Sequence, residues 1–407
     1  MYAGGGRAVA RVLRTNLFRA ALGLWLIAEV GLLALHLKME TAAGLTAGGT
    51  LAFGDDTINF WAAARLALLG RVADVYDFAR FHEFQISVLG GPIHAYEYSY
   101  PPVAVLLTLP LGFLPYLAAV AAWLAGGWVV FAATVRAAWP VEGRRARGSG
   151  VYALALPAVL INWLTGQTGT WTAALLGGGL ILLERRPVFA GILLGALVAK
   201  PQMVLLVPVA LIAGRRWNTL IAGGVTAVVL IALSVVAFGT APWRAFVAHE
   251  PILRGWLLDD GTGVWFLFVS VFVSFRHLPT SLPVAYAAQA ASCLIAAGLV
   301  ARIWMSIGAQ SAKNAALVAA SLFATPYLLA YDLVAASLVP LWLLPLLTRD
   351  GLLRSGAWAS FAALALAPLL TPIIAHLTGV NIGWMLLLPA MGLAARLCNN
   401  ESKLLLA

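Results

Sequence analysis

Apolar segments long enough to cross a lipid bilayer recur along the whole 407-residue chain. A spanning helix needs about 20 apolar residues, or fewer where the helix is broken and lines a cavity. Charged residues, prolines and glycines separate twelve such segments, at residues 17–37, 116–137, 151–164, 170–183, 187–199, 203–213, 217–238, 284–304, 314–328, 332–348, 356–374 and 381–397. This pattern predicts an all-α polytopic membrane protein with about 12 transmembrane helices.

The composition excludes a soluble protein. Hydrophobic residues make up 62% of the chain and charged residues only 10%, whereas soluble domains carry about 25% charged residues. The net charge of +10 is spread between the apolar segments, so we expect no nucleic-acid partner. Cys293 and Cys398 lie far apart and form no metal-ligand pair, so the sequence predicts neither a metal site nor a cofactor.

Basic residues divide unevenly between the two sides of the predicted membrane. If the N-terminus is cytoplasmic, the cytoplasmic segments hold 18 of the 26 Lys and Arg residues but only four of the 16 Asp and Glu residues. The positive-inside rule then predicts that both termini are cytoplasmic in a cell (inner) membrane protein. Two long loops, at about 38–115 and 239–283, fall on the outer side. No repeat or linker divides the chain, so we expect a single domain over 1–407.

The first outer loop contains a candidate catalytic carboxylate. Asp55 and Asp56 precede a helical pattern that ends near Gly70, in which Trp61 and Arg65 accompany an apolar stripe. That pattern predicts an amphipathic helix in the membrane interface, capped by one aspartate. The other carboxylate is left to face a cavity, where a raised pKa would suit a general base. Two solvated aspartates at a helix start are the alternative.

Tyrosines are concentrated further along the same loop. A second short helix is predicted at about 78–89, followed by the segment from Tyr96 through Glu97 to Tyr100, two prolines, and a helix at 103–114 that dips into the bilayer edge. The tyrosines either contact substrate or form an aromatic belt at the membrane surface.

Three later positions place polar residues between apolar segments. Gln167 lies in an uncharged hairpin that is either a tight turn or part of a site. Lys200 lies at the apex of an apolar stretch with paired arginines at both ends, where it either binds a phosphate or snorkels to water. Tyr331 and Asp332 form an outer turn, in which Asp332 either faces the site or caps a helix.

The second outer loop holds further charged residues. His249 and Arg254 occur there with Glu250, Asp259 and Asp260. These side chains either hold a polar acceptor or a phosphate, or form a solvated face.

Taken in order, these residues resemble the GT-C glycosyltransferases of family 87, which include polyprenyl-phosphate-mannose-dependent α-1,2-mannosyltransferases. The resemblance spans about residues 10–350. It is carried by Asp56 with Phe60, Trp61, Ala63, Ala64 and Arg65, by Tyr76-Asp77, Tyr100-Pro101-Pro102, Gly166-Gln167, Lys200-Pro201, Arg215-Arg216-Trp217, Thr325-Pro326 and Tyr331-Asp332.

The resemblance implies a GT-C fold and an active site on the outer face. The donor would be a polyprenyl-phosphate hexose, with mannose the sugar inherited from the family, and the acceptor a lipid-linked or exported glycan. Transfer would invert the anomeric carbon, with Asp56 as general base and Asp55 as its neighbouring substitute. The outer cations available for the donor phosphate are Lys200, Arg65 and Arg254. Candidate substrate contacts are Gln167, Tyr100, Glu97, Tyr331, Asp332 and His249.

One departure from the family pattern concerns the outer turn, where relatives often carry His and this chain has Tyr331-Asp332.

Two other functions share the hydropathy profile. A transporter or flippase of lipid-linked sugars would often show helix repeats, which are not visible. A polymerase of polyprenyl-linked glycans would favour an arginine-rich outer loop, whereas the outer side here is net acidic.

Overall fold

The computed structural model describes residues 16–42, 46–47, 51–140, 148–260, 264–349, 351–353 and 355–406. Within them the chain is largely helical, with one antiparallel hairpin of β1 (Thr46–Ala47) and β2 (Leu51–Ala52). The α-helices are α1 (Asn16–Ala42), α2 (Thr57–Leu68), α3 (Phe78–Leu89), α4 (Pro102–Thr108), α5 (Tyr116–Ala138), α6 (Gly148–Leu154), α7 (Pro157–Leu164), α8 (Gly169–Leu182), α9 (Pro187–Ala196), α10 (Val207–Ala213), α11 (Trp217–Phe238), α12 (Ala241–Arg254), α13 (Val271–His277), α14 (Leu282–Met305), α15 (Gln310–Ala324), α16 (Leu338–Arg349), α17 (Ser355–Thr378) and α18 (Leu388–Leu406).

Short 3-10 turns and one π turn interrupt or extend these helices. The 3-10 turns are Val72–Tyr76, Leu109–Phe113, Leu197–Ala199, Pro201–Met203, Trp265–Leu267, Ala330–Ser337 and Gly383–Leu387, and the π turn is Gly255–Asp259.

Five helices in the described part of the chain are long and apolar enough to cross a membrane: Tyr116–Ala138, Trp217–Phe238, Leu282–Met305, Ala330–Arg349 and Ser355–Thr378. They agree with an all-α membrane protein, while the count of 12 spans stays a prediction. Other predicted segments are shorter helices because proline breaks them. Pro157 separates α6 from α7, and Pro201 begins the second of two 3-10 turns between α9 and α10.

The first two helices predicted in the first outer loop are confirmed, and the helix predicted at 103–114 is α4 followed by the 3-10 turn Leu109–Phe113. Helix α2 ends just before Gly70, whose φ is +71°. Asp77 is the N-cap of α3, and its side chain accepts from the Arg80 amide at 3.1 Å. The prediction that α2 is an amphipathic interfacial helix is wrong. Nine of its twelve residues are buried, because its alanines let other backbone approach closely. A side chain at Gly112 would lie 2.9 Å from the Ala64 carbonyl.

The tyrosines of this loop belong to a core, so the aromatic-belt alternative is wrong for them. Tyr96, Tyr98 and Tyr100 are all buried. The Phe60 ring centroid lies 5.2 Å from that of Tyr100 and 4.6 Å from that of Trp123. This aromatic core joins the first outer loop to α5 and positions the Tyr100 hydroxyl.

Part of the charge-based topology concerns residues that the structure does not describe. Arg7, Arg11, Arg14, Glu142, Arg144, Arg145, Arg147, Asp350 and Arg354 lie outside the described ranges. The orientation of the termini therefore stays a prediction.

Candidate active site

Asp56 occupies the N-cap position of α2, but its side chain makes no capping hydrogen bond. The predicted side-chain cap is therefore wrong for Asp56. Its Oδ1 accepts a hydrogen bond from Asn59 Nδ2 at 3.1 Å, and its Oδ2 accepts one from Gln167 Nε2 at 2.5 Å. Backbone carbonyls satisfy the first helical amides instead, as where Thr57 N donates to Gly54 O at 3.1 Å. The Asp56 carboxylate is therefore not used to cap the helix.

The surroundings of Asp56 suit a proton acceptor. Burial raises the pKa of this carboxyl to about 6, although the hydrogen bond from Gln167 acts in the opposite direction. The group is therefore largely ionised at neutral pH, with a pKa close to the range that favours general base catalysis. Its neighbour Asp55 has a left-handed backbone (φ +46°), and its carboxylate interacts with the Tyr96 hydroxyl.

The polar hairpin between α7 and α8 brings Gln167 to Asp56. Gly166 has φ +62°, and a side chain there would lie 2.1 Å from the Gly54 carbonyl oxygen, which only glycine permits. The Gly166 carbonyl accepts from Trp123 Nε1 at 3.0 Å. The hairpin therefore packs directly against the start of α2.

A chain of polar contacts leads from Gln167 towards the middle of the protein. Tyr100 donates its hydroxyl to Gln167 Oε1 at 2.9 Å and lies 3.5 Å from Thr168 Oγ1. Lys200 Nζ donates to the same Thr168 oxygen at 2.9 Å and to Asp332 Oδ1 at 2.5 Å. The structure thus links Asp56 to Lys200 and Asp332 through three intervening side chains.

Lys200 is buried and already paired. Its side chain is 4% exposed and that of Asp332 is 0% exposed. Nζ also lies 4.9 Å from the ring centroid of Tyr331 and 5.9 Å from that of Tyr100. Asp332 additionally accepts from the Leu329 amide at 3.4 Å, so it contributes to a helix start as well. The snorkelling alternative for Lys200 does not fit this burial.

The remaining predicted site residues lie elsewhere. Arg65 Nη1 donates to Gly112 O at 3.1 Å near the far end of α2. Arg254 Nη1 lies 3.8 Å from Glu250 Oε2, at the end of α12. The Glu97 carbonyl accepts a hydrogen bond from Asn59 Nδ2 at 3.3 Å, and Asn59 in turn contacts Asp56. The Glu97 side chain instead approaches His249 Nε2, at 3.8 Å.

Sequence reasoning missed Asn59, Gln85 and Thr168. Asn59 stands three residues after Asp56, a helical spacing that could have indicated the contact. Gln85 Nε2 donates to Asn59 Oδ1 at 3.0 Å and is fully buried, but its position on a different helix left no signal. Thr168 directly follows Gln167. Among the described residues, no group of three or more His, Cys, Asp or Glu side chains is arranged to hold a metal ion.

Comparison with known proteins gives one match. The sequence model of glycosyltransferase family 87 matches residues 98–331, which is more than half of the chain and includes Tyr100, Gln167 and Lys200. Asp56 lies outside the matched range. No curated protein and no solved structure matches the chain. On this evidence, and with the order of its site residues, the chain belongs to glycosyltransferase family 87 and is a membrane glycosyltransferase.

Proposed function

We propose that this glycosyltransferase moves a hexose, with mannose as the first candidate, from a polyprenyl phosphate to a lipid-linked or exported glycan at the outer face of the membrane. The proposal rests on one observation. A partly buried carboxylate, Asp56, is connected through Gln167, Tyr100 and Thr168 to a buried lysine, Lys200, on the outer side of the predicted topology.

Asp56 is proposed to act as the general base. The acceptor hydroxyl would give its proton to the Asp56 carboxylate while its oxygen attacks the anomeric carbon. The bond between that carbon and the phosphate oxygen breaks, so polyprenyl phosphate leaves and the configuration inverts. Asn59 and Gln167 each donate to Asp56 and so fix the orientation of the carboxylate for this step.

Lys200 is proposed to interact with the leaving phosphate. A lysine ammonium has three donors, and Thr168 and Asp332 accept two of them. The third would remain for a phosphate oxygen, whose charge increases as the sugar departs. Asp332 and the Tyr331 ring keep the ammonium in place but also offset its charge. Arg65 and Arg254 stay predicted phosphate ligands that lie outside this group of residues.

Single-turnover sugar transfer tests the proposal. Purified protein would be incubated with a panel of polyprenyl-phosphate sugars and native membrane lipid extract, with wild type compared with Asp56→Asn. Transfer by the wild type that collapses in the variant, with folding and donor binding intact, supports both the reaction and the base. Prenyl-phosphate binding without transfer from any donor would contradict the proposal and favour a lipid-sugar transporter. Polymerisation of the transferred glycan would favour the polymerase alternative.

A further inference from the structure

A largely apolar cavity with a few polar groups lies beside the polar side chains around Asp56, which we call the Asp56 cluster (Asp56, Asn59, Gln167, Tyr100, Thr168, Lys200 and Asp332). It has a volume of about 770 Å³, within the usual size of ligand sites. We call it the outer cavity. Its walls come from the first outer loop and α12, and include Asp74, Phe78, Arg80, Glu97, His249 and Trp256.

Glu97 and His249 form an incomplete polar pair in its wall. Glu97 Oε2 lies 3.8 Å from His249 Nε2, which is too far for a direct hydrogen bond. Glu97 Oε2 has no hydrogen-bond partner among the described residues, and the His249 side chain is only 8% exposed. Buried polar atoms are normally hydrogen-bonded. A hydroxyl oxygen about 2.8 Å from both atoms would complete the pair.

The charge of the outer cavity does not suit a phosphate. Arg80 Nη1 lies 3.1 Å from Asp74 Oδ1, and Arg80 Nε lies 3.6 Å from Asp77 Oδ2. Its guanidinium is therefore already paired with two carboxylates. Burial lowers the pKa of His249, so the histidine is neutral at pH 7. Burial also raises the pKa of Glu97. With a third carboxylate in Glu97, the walls disfavour an anionic ligand.

Aromatic side chains provide the apolar part of the walls. Phe78 is 48% exposed and Trp256 is 42% exposed, although both rings line the cavity. Flat rings beside carboxylate and imidazole groups match a sugar, which has apolar C–H faces and hydroxyl edges. A lipid chain would leave the polar groups of Glu97 and His249 unpaired.

Asn59 separates the outer cavity from the proposed base. Its Nδ2 donates both to Asp56 Oδ1 and to the Glu97 carbonyl oxygen. We propose that the outer cavity binds a neutral sugar unit of the acceptor glycan, away from the reacting hydroxyl, with Glu97 and His249 as its hydrogen-bonding groups. This inference rests on the proposed function, since it assigns the cavity to that reaction's acceptor.

Binding of neutral disaccharides, measured by saturation-transfer NMR, tests the inference without any need for transfer. The full chain would be placed in lipid nanodiscs, because maltoside detergents carry a disaccharide themselves. The probes are methyl glycosides of mannose, glucose and galactose disaccharides. We expect at least one to bind, and its affinity to fall about tenfold or more in Glu97→Gln and in His249→Gln.

Matched variants separate a binding role from a folding defect. Glu83→Gln and His94→Gln make the same changes at exposed positions and should retain affinity. Trp256→Ala removes a half-exposed ring and should weaken binding while thermal unfolding is unchanged. Asp56→Asn should still bind the disaccharide, so a failure of the transfer assay alone would not affect this inference. Absence of disaccharide binding, or unchanged affinity in both Glu97→Gln and His249→Gln, would overturn it.

Discussion

Lys200 Nζ and Asp332 Oδ1 lie 2.5 Å apart across 132 residues of sequence, in a part of the protein that solvent does not reach. The pair joins the turn between α9 and α10 to the 3-10 turn Ala330–Ser337. Each residue places a charge in an apolar segment, where an unpaired charge is costly to bury. Each turn therefore supplies the opposite charge that the other needs. The pair therefore fixes how these two turns meet beside Thr168.

Breaking this pair should be costly, whereas removing both charges should be much less so. We expect Lys200→Met or Asp332→Asn alone to lower the free energy of unfolding by about 3–5 kcal/mol, because each leaves a buried charge unpaired. The double variant should recover a large part of that loss while transfer stays defective. Equilibrium unfolding in bicelles measures the three values.

The exposed pair of Arg71 and Asp74, 2.7 Å apart, is the control for this cycle. Arg71→Met should cost less than about 1 kcal/mol, since surface ion pairs contribute little. Additive losses in the Lys200 and Asp332 double variant would show that the two residues are not energetically coupled.

Asp56 and Asp55 should differ sharply in their effect on transfer. Asp56→Asn removes the proposed base and should reduce the single-turnover rate about 10²–10⁴-fold. Asp55→Asn should retain most activity, because Asn also tolerates the left-handed backbone found there. The readout is the transfer rate at saturating donor. A result in which only Asp55→Asn is inactive would move the base by one residue.

The transfer rate should rise with pH through about 6, the pKa to which burial raises Asp56. Below that pH the base is protonated, so the rate should fall about tenfold per pH unit, with a plateau above neutrality. Gln167→Leu removes a hydrogen bond that stabilises the charged form, so the pKa should rise and the profile should move to higher pH.

Tyr100→Phe provides a graded comparison for Gln167→Leu. The Tyr100 hydroxyl donates to Gln167 and does not contact Asp56. Its removal should therefore move the pH profile of transfer in the same direction by a smaller amount. A rate independent of pH between 5 and 7 in the wild type would exclude Asp56 as the titrating base.

Sequence reasoning identified the members of the Asp56 cluster better than it identified their contacts. Four of its residues are noticeable because each places a polar group between apolar segments, where burying that group costs free energy. They are Asp56, Gln167, Lys200 and Asp332. Their pairing was not predictable, because it depends on which turns meet after folding. Arg65 illustrates the limit, since an outer cation looked suited to phosphate but donates to a carbonyl on its own loop.

The helices of the first outer loop were predictable because their ends carry local signals. Asp77 precedes α3 and Gly90 follows it, and both are residue types typical of helix ends. The burial of α2 was not predictable, since its apolar residues suit a membrane surface as well as a protein core. Its aromatic partners, Tyr98 and Trp123, come from elsewhere in the chain. Tertiary contacts alone therefore decided where Asp56 lies.

Two glycines with the same backbone conformation should respond very differently to alanine. Gly166 and Gly70 have φ angles of +62° and +71°. A side chain at Gly70 would meet no atom within 4 Å, whereas one at Gly166 would lie 2.1 Å from Gly54 O and 2.6 Å from Thr57 N. Gly70→Ala should therefore cost about 1–2 kcal/mol, the conformational penalty alone.

Gly166→Ala must in addition separate the hairpin from the start of α2, which would move Gln167 away from Asp56. We expect a larger stability loss than in Gly70→Ala, together with a transfer rate that falls and a pH profile that moves upwards. Thermal unfolding and pH-dependent transfer of both variants measure these effects. Equal stability and equal profiles in the two would show that the close approach of Gly166 to Gly54 does not position the proposed base.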